Sequence, residues 1–497
     1  MDRTFRSTAK NNASLLTKIH HGKSLSSSIA SKPSIKNRSM KHIVLALVRL
    51  IAFVCIIPIL GTCGWSQSQK TLEQIPDLKS IPDSTLHLQD QIDDPKGQGN
   101  LKLSEKRYRI TKPLIVDLAR HGAIQISAAA GSTIIMDGPG PAIKIVGSHD
   151  GTASPKTFMP KTWNQRMPSI RGLEILGAHP LADGIELDGT VAAVVDGVSV
   201  RWCRHGIHLV NRNRNVVIAN SHLYENSGIG IFLNDVNLHQ INVTGAHISY
   251  NRAGGIVVRD GNVRNLQVSG CDIEANMPDD GSATTTANVL IDVSGSPNDK
   301  SKSIAEVSIT GCTIQHAANY GGSDKKGAAP GGANIRLAGK QIYPIDSVTI
   351  TGNVLSDTTT NIDIRHAQDI AINGNNFFAP KEMNLRVRDS ERVNVVGNTF
   401  NPRQFVRPGT ILLQNCSTCI VSNSTMHQFA TKDGALIIKD SQHMLVANLI
   451  LSKCGSGIRL INVQDSFVQG CIYRDLPQGA TKVSLQPQTS SVKIDDE

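Results

Sequence analysis

Glu186, Asp188, His208, Asp235, His239 and Arg259 are residue types that could carry catalysis if folding brings them together. Two carboxyls two residues apart on an extended strand stand roughly 6.6 Å apart along the backbone. A glycoside hydrolase could use such a pair as acid and base. A histidine and an arginine beside them offer another reaction, in which a carbon-bound proton is removed while a cation compensates a uronate carboxylate. A second set, His222, Tyr224, His247, Asp272 and Glu274, supplies an alternative catalytic face of imidazoles, a phenol and carboxyls. A third set is basic: Arg212, Arg214, Arg336, Arg365, Arg386 and Arg388 could hold an anionic substrate. No set has a recognisable metal-ligand spacing. Adjacent acids could hold Ca²⁺, but Asp292 and Asp363 are separated by Ala338.

These residues are neighbours only if the chain coils regularly, and its pattern says that it does. A Gly-Ile-x-Leu phrase returns about every 25 residues, its second positions being Ile185, Ile207, Ile231, Ile256, Val289, Ile335, Ile362, Leu385, Ile411, Leu436, Ile458 and Val483. A fixed period of this size signals a stacked repeat. Val-x-Ile-x-Gly follows as a second strand, as in Val307–Gly311 and Val348–Gly352. The column that ends it is always Gly or Asn, from Gly197, Asn220 and Gly245 to Asn423, Asn448 and Gly470, which predicts a bend with positive φ. Three residues later an apolar column, Val200, Leu223 and Ile248 through Leu451 and Tyr473, marks a third strand. Just past the bend, Asn353, Asn375 and Asn398 fall on consecutive coils and predict a buried hydrogen-bonded ladder.

Three short strands per coil, a tight bend and an Asn ladder resemble the single-stranded right-handed parallel β-helix of the pectate-lyase-like superfamily, over about Ile124 to Leu485. The expected fold is all-β, with about 12–14 coils. In that superfamily the groove usually runs along the first strand, which implies a site at Glu186, His208 and Arg259. The polygalacturonase and mannuronan-epimerase signatures are absent. Arg166-Met-Pro-Ser-Ile-Arg171 matches the Arg-x-Pro-x-x-Arg of pectate lyases but lies ahead of the regular coils.

Stacked coils lie about 4.8 Å apart, so residues of one column touch. Glu186, Asp188 and His208 then cluster, as do Arg336, Asp363, Arg365, Arg386 and Arg388. Asn211–Asn215, Asn234–Gln240 and Arg259–Asn262 are short connections edging the same groove.

The formal charge of +10 is concentrated in residues 1–67, which carry ten Lys or Arg and one acid; the remainder has 41 basic and 40 acidic residues. Composition therefore gives no argument for nucleic acid. Ile43–Leu60 is an apolar run behind Lys41 and reads as a secretory signal, with Met40 as the expected true start and cleavage after Ser66, or else as a membrane anchor. Residues 1–66 are thus a leader, 67–107 a linker, 108–486 the β-helix and 487–497 a polar tail. Lys106–Leu118 is expected to cap the open N-terminal end. Met277–Ala287, Val293–Glu306 and Ala317–Gly332 are insertions. Seven cysteines outside the leader, at irregular spacing, do not form a disulfide framework, and Cys271, Cys312, Cys416 and Cys419 read as core filling. The function expected is an exported protein, extracellular, periplasmic or at the cell surface, acting on an acidic polysaccharide by β-elimination. A hydrolase using Glu186 and Asp188, or a non-catalytic glycan-binding protein, are the alternatives.

Overall fold

The computed structural model describes residues 75–495 except 95–99, 105, 152–155, 157–159, 279–284, 298–301, 317–331 and 404–406. The leader, Met40 and the Ser66 cleavage position lie outside these residues, as do most of Met277–Ala287 and Ala317–Gly332 and residues 298–301 of Val293–Glu306. Consecutive Gly-Ile phrases stack in register: Ile207 pairs with Ile185 and Ile231, and Ile231 with Ile256. All interstrand ladders are parallel, in one 23-stranded sheet made of the first and second strands and one 14-stranded sheet of third strands from Arg107–Ile110 to Ile472–Arg474. The core lies inside the coil, where the inward residues of every turn, such as Ile207, Leu209, Val216, Ile218 and Leu223, are fully buried.

The bend between second and third strands follows the predicted chemistry. Gly197, Asn220, Gly245, Gly270, Gly311, Gly352, Gly374, Gly397, Asn423, Asn448 and Gly470 all have φ between 50° and 68°. Behind it, the Asn353 side chain donates to Asn375 Oδ1 at 3.0 Å and Asn375 to Asn398 Oδ1 at 3.1 Å.

Two of the three segments expected as connections after the first strand are themselves strand, while Asp260 and Gly261 do connect Ile256–Arg259 to Asn262–Ser269. Arg212, Asn213 and Arg214 pair with Asn237, Leu238 and His239, and these with Asn262, Val263 and Arg264. First and second strands therefore run together as bent strands such as Ile207–Ala219 and Ile231–Thr244. Asx and polar residues at the corners, Asn211 and Asn215 on one coil and Asp235 and Gln240 on the next, take positive φ and make the bends.

The ends differ from expectation. Lys106–Leu118 is not the cap; it contains the strands Arg107–Ile110 and Leu114–Asp117. The cap is the helix Thr85–Asp93, inside the expected linker, with Leu88 and Ile92 on one stripe buried against the first coil. Its Gln89 amide imitates a neighbouring strand, donating to Ile115 O at 2.9 Å and accepting from Ile115 N at 2.8 Å. That satisfies an edge that would otherwise be open. Asn100–Leu103, also placed in the linker, is a strand paired with Gln125–Ala128. Ser490–Asp495, expected in a polar tail, is the last strand and pairs with the end of Ile458–Gln469.

Candidate functional site

The outward residues of the first strand form one unbroken column. In coil order it runs Lys144, Glu186, His208, Phe232, Val257, Leu290, Arg336, Asp363, Arg386 and Leu412. Two polar patches flank an apolar stretch. Phe232, Val257 and Leu290 in that stretch are buried with Ile229, Ala287 and Ala333 in a small cluster separate from the main core.

The first patch centres on His208. Its Nδ1 lies 3.6 Å from Glu186 Oε2, while Glu186 Oε1 is 2.8 Å from Lys144 Nζ. The imidazole stacks on Phe232 with ring centres 5.1 Å apart and planes 6° from parallel. Neither ring nitrogen has a hydrogen-bond partner among the described residues. Burial pushes the His208 pKa down, against the raising effect of Glu186 and Asp183, so the ring is neutral near pH 7. Arg259, two coils on, sets its guanidinium 5.8 Å from the Phe232 ring centre and forms no ion pair among the described residues.

Two further residues, His205 and Asp183, hold this patch from behind. They occupy the position before Gly206 and Gly184 of the repeated phrase. Asp183 is buried and accepts from Arg204 Nε at 2.9 Å and Nη2 at 2.6 Å, and from the His205 amide at 3.0 Å. His205 Nδ1 accepts from the Ile229 amide at 3.1 Å, which fixes its tautomer, and its ring lies 5.6 Å from that of His208. Burial takes its pKa down to about 4. Lys144, Asp183, Arg204 and His205 were not singled out in the sequence. For Asp183 and His205 the signal was available, since both sit two places before the Ile of the phrase.

The other expected members of this site are engaged by other residues or lie around the corner. Asp188 accepts from Asn211 Nδ2 at 3.0 Å. Asp235 stands at a corner and is engaged by Lys302. His239 is on the side segment beyond that corner, between Arg214 and Arg264. Thus Glu186, His208 and, across Phe232, Arg259 come together, with Asp188 on the same face in the Arg259 column, while Asp235 and His239 lie at and beyond the corner.

The second patch is built on a carboxylate that is 5% exposed. Asp363 accepts from Arg336 Nε at 3.1 Å, from Arg386 Nε at 2.9 Å and Nη2 at 2.8 Å, and from Arg388 Nη2 at 3.4 Å. Burial opposes its ionisation, but the Arg386 hydrogen bonds and the three guanidinium charges outweigh that and hold its pKa below the usual value. Surrounded by guanidiniums, Asp363 is unsuited to Ca²⁺. Arg365 turns aside to Asp389 at 3.0 Å.

On the third-strand face the expected column is also real. His222, His247 and Asp272 are in register, as are Tyr224, Ser249 and Glu274. The His222 and His247 rings meet edge to face at 5.6 Å, and His247 Nε2 is 3.6 Å from Asp272 Oδ2 and 3.1 Å from Ser249 Oγ. Burial, then Asp272 and Asp357, raise the Glu274 pKa. Tyr224 lies under the Arg201 guanidinium at 4.9 Å.

Arg166 and Arg171, the ends of the pectate-lyase-like hexapeptide, do not converge on a common site. Arg166 packs on Trp163 and donates to its carbonyl at 2.8 Å, while Arg171 pairs with Asp196 at 2.5 Å. The seven cysteines of the described residues are buried and form no disulfide among themselves.

Two family models match the chain: a right handed beta helix region over residues 170–300, and a periplasmic copper-binding protein (NosD) over residues 305–475. No curated protein matches it. Similar solved structures include ORF18 of Geobacillus virus E2, at 15% identity and a TM-score of 0.39, covering 69% of this chain and 57% of that one. The A-module of a mannuronan C-5 epimerase from Azotobacter vinelandii has 11% identity and a TM-score of 0.39, with coverage of 83% and 96%. The surface adhesin PfbA of Streptococcus pneumoniae has 12% identity and a TM-score of 0.43, with coverage of 79% and 88%. The chain therefore spans a little over half the length of the viral protein. Such distant likenesses carry no activity across. Nor does the copper of the second model's description fit these residues. Among the described residues no three of His, Cys, Asp and Glu come together as metal ligands.

Proposed function

Taking the chain as a right-handed parallel β-helix repeat protein, we propose that it is exported and acts on an acidic polysaccharide by β-elimination at the first-strand face. The observation that carries this reading is His208. It is a largely buried imidazole whose pKa burial lowers; both its nitrogens are buried without hydrogen-bond partners among the described residues, so the ring must turn outward to meet a substrate, and it is supported by Glu186 and Phe232. A neutral imidazole is a competent base for the proton on the carbon next to a uronate carboxylate. Arg259, across the Phe232 ring, supplies the cation that offsets the carboxylate as negative charge builds up. The electron pair of the broken C–H bond forms the ring double bond, the glycosidic C–O bond breaks, and the imidazolium returns the proton to the departing oxygen. Glu186 stabilises the transient imidazolium, and His205, locked by Ile229 N and packed on Phe232, holds the stack in place. The reading of export is supported by the leader and by the word periplasmic in the description of the second matching family.

The test is incubation of the full chain with alginate, polygalacturonate and hyaluronan, following absorbance of the unsaturated product. Appearance of that product, and its loss in H208Q, supports elimination. New reducing ends without the absorbance would put the activity in the hydrolase class. Glycan binding with no turnover would make the face a binding surface.

A further inference from the structure

Around the corner from His208, the side segments of three successive coils carry a second cationic feature. Arg212 and Arg214 on one coil face outward in register with Asn237 and His239 on the next, and these with Asn262 and Arg264 on the third. Arg212 and Arg264 form no ion pair among the described residues; Arg264 donates to the Ser303 hydroxyl. The carboxylates of the adjoining corner have other partners, Asp188 the Asn211 amide, Asp235 the Lys302 ammonium and Asp260 the Ser296 hydroxyl, and none forms an ion pair with Arg212 or Arg264. Arg212 Nε and His239 Nδ1 are buried without hydrogen-bond partners.

The electrostatics agree with the geometry. The Arg214 pKa is lowered by burial and then by the Arg212 charge, and that of His149 by burial and then by Arg212 and Arg214. Three arginines on the side segments of three coils are a surplus of cations, and the Arg212 charge reaches both Arg214 and His149. On a body with 41 basic and 40 acidic residues beyond the leader, that surplus is local rather than a consequence of net charge. It is also more than one uronate carboxylate needs, because Arg259 already serves that group on the first-strand face. Guanidiniums suit tetrahedral oxyanions, to which they donate in pairs.

We propose that Arg212, Arg214 and Arg264, with His239, form a subsite for a sulfate ester, so that the substrate class is a sulfated uronic-acid polysaccharide. This inference rests on the uronate reading of the His208 site, which leaves the side-segment cations for a second anion; the anion subsite itself stands on the side segment alone.

The test uses the full chain and three probes at fixed ionic strength: dextran sulfate (sulfate without carboxylate), alginate (carboxylate without sulfate) and chondroitin sulfate (both). The wild type is expected to bind dextran sulfate, and R212Q/R264Q to bind it at least tenfold more weakly. K79Q/K102Q, which removes the same charge elsewhere, is expected to change binding by less than twofold. Chondroitin sulfate is expected to bind more tightly than alginate in the wild type, and that preference to shrink in R212Q/R264Q. Failure of the wild type to bind dextran sulfate, or equal losses in the two double variants, overturns the subsite. Dextran sulfate binding that is lost in R212Q/R264Q, with no turnover of any uronide, keeps the subsite and sinks the elimination reading instead.

Discussion

His208 Nδ1 sits 3.6 Å from Glu186 Oε2, across one step of the coil. The two residues are 22 apart in sequence and exact register partners in the ladder. Glu186 is itself held by Lys144 from the coil before. This vertical row of acid, base and cation exists only because the chain returns to the same column each turn. It places a neutral imidazole where a small change in its surroundings moves its proton affinity.

The pH dependence of activity should show this. Burial lowers the His208 pKa and Glu186 raises it. Activity that uses the neutral ring should therefore fall only on the acid side, below the ordinary histidine value of about 6.5. In E186Q the supporting charge is gone, so the acid limb of kcat/KM should move to lower pH. A limb that moved upward would contradict the arrangement.

His205 should make the fold acid-labile. Its folded pKa is about 4 against an unfolded value of 6.5. The unfolded state therefore binds a proton that the folded state refuses. Its contribution to stability is unchanged above pH 6.5, is lost as pH falls, and levels off near pH 4. The window corresponds to about 3 kcal/mol at most. Denaturant titrations at pH 7 and pH 4.5 should show a smaller difference for H205Q than for the wild type.

Asp363 holds three arginines, so D363N should be far more harmful than loss of one partner. Breaking a buried cluster from its single anion costs about 3–5 kcal/mol. Thermal or urea unfolding should show that loss for D363N, with partial recovery in D363N/R386Q because one uncompensated cation is removed.

A second asparagine ladder, at the corner between third and first strands, should be a main source of rigidity. Asn226, Asn251, Asn276, Asn288, Asn334, Asn361 and Asn384 are each fully buried, and consecutive side chains bond at 2.7 to 3.0 Å. N276A removes the oxygen that accepts from both Asn251 N and Asn251 Nδ2, leaving Nδ2 only Leu223 O, and should cost about 1–3 kcal/mol. G206A should be worse than an exposed Gly-to-Ala change, since a Cβ there would lie 2.5 Å from Gly230 O.

This second ladder also shows where sequence reading stopped. Asn353, Asn375 and Asn398 share one position after the bend, so their ladder was visible as a column. Asn226, Asn251 and Asn276 follow the third strand, but Asn288, Asn334, Asn361 and Asn384 are each the second residue of a first strand. The rungs change sequence position while keeping their place in space, and a column count cannot follow them. The Gly/Asn bend was legible because positive φ admits few residues. The cap was not, because only Thr85, Leu88 and Ile92 of its nine residues are buried and Leu86 points to solvent. At the site, the register placed Glu186 and His208 together correctly. It could not show that Asp235 turns to Lys302, or that Lys144 from an irregular early coil completes the row.

The most direct measurement of the central claim follows the proton itself. A polyuronide incubated with the chain in D₂O can be watched by proton NMR at the carbon next to the carboxylate. Wild type should deplete that signal, through elimination or exchange, while H208Q slows the loss by roughly 10²–10⁴-fold. Full retention of the signal with wild type, or equal depletion by H208Q, would contradict the assignment of His208 as the base.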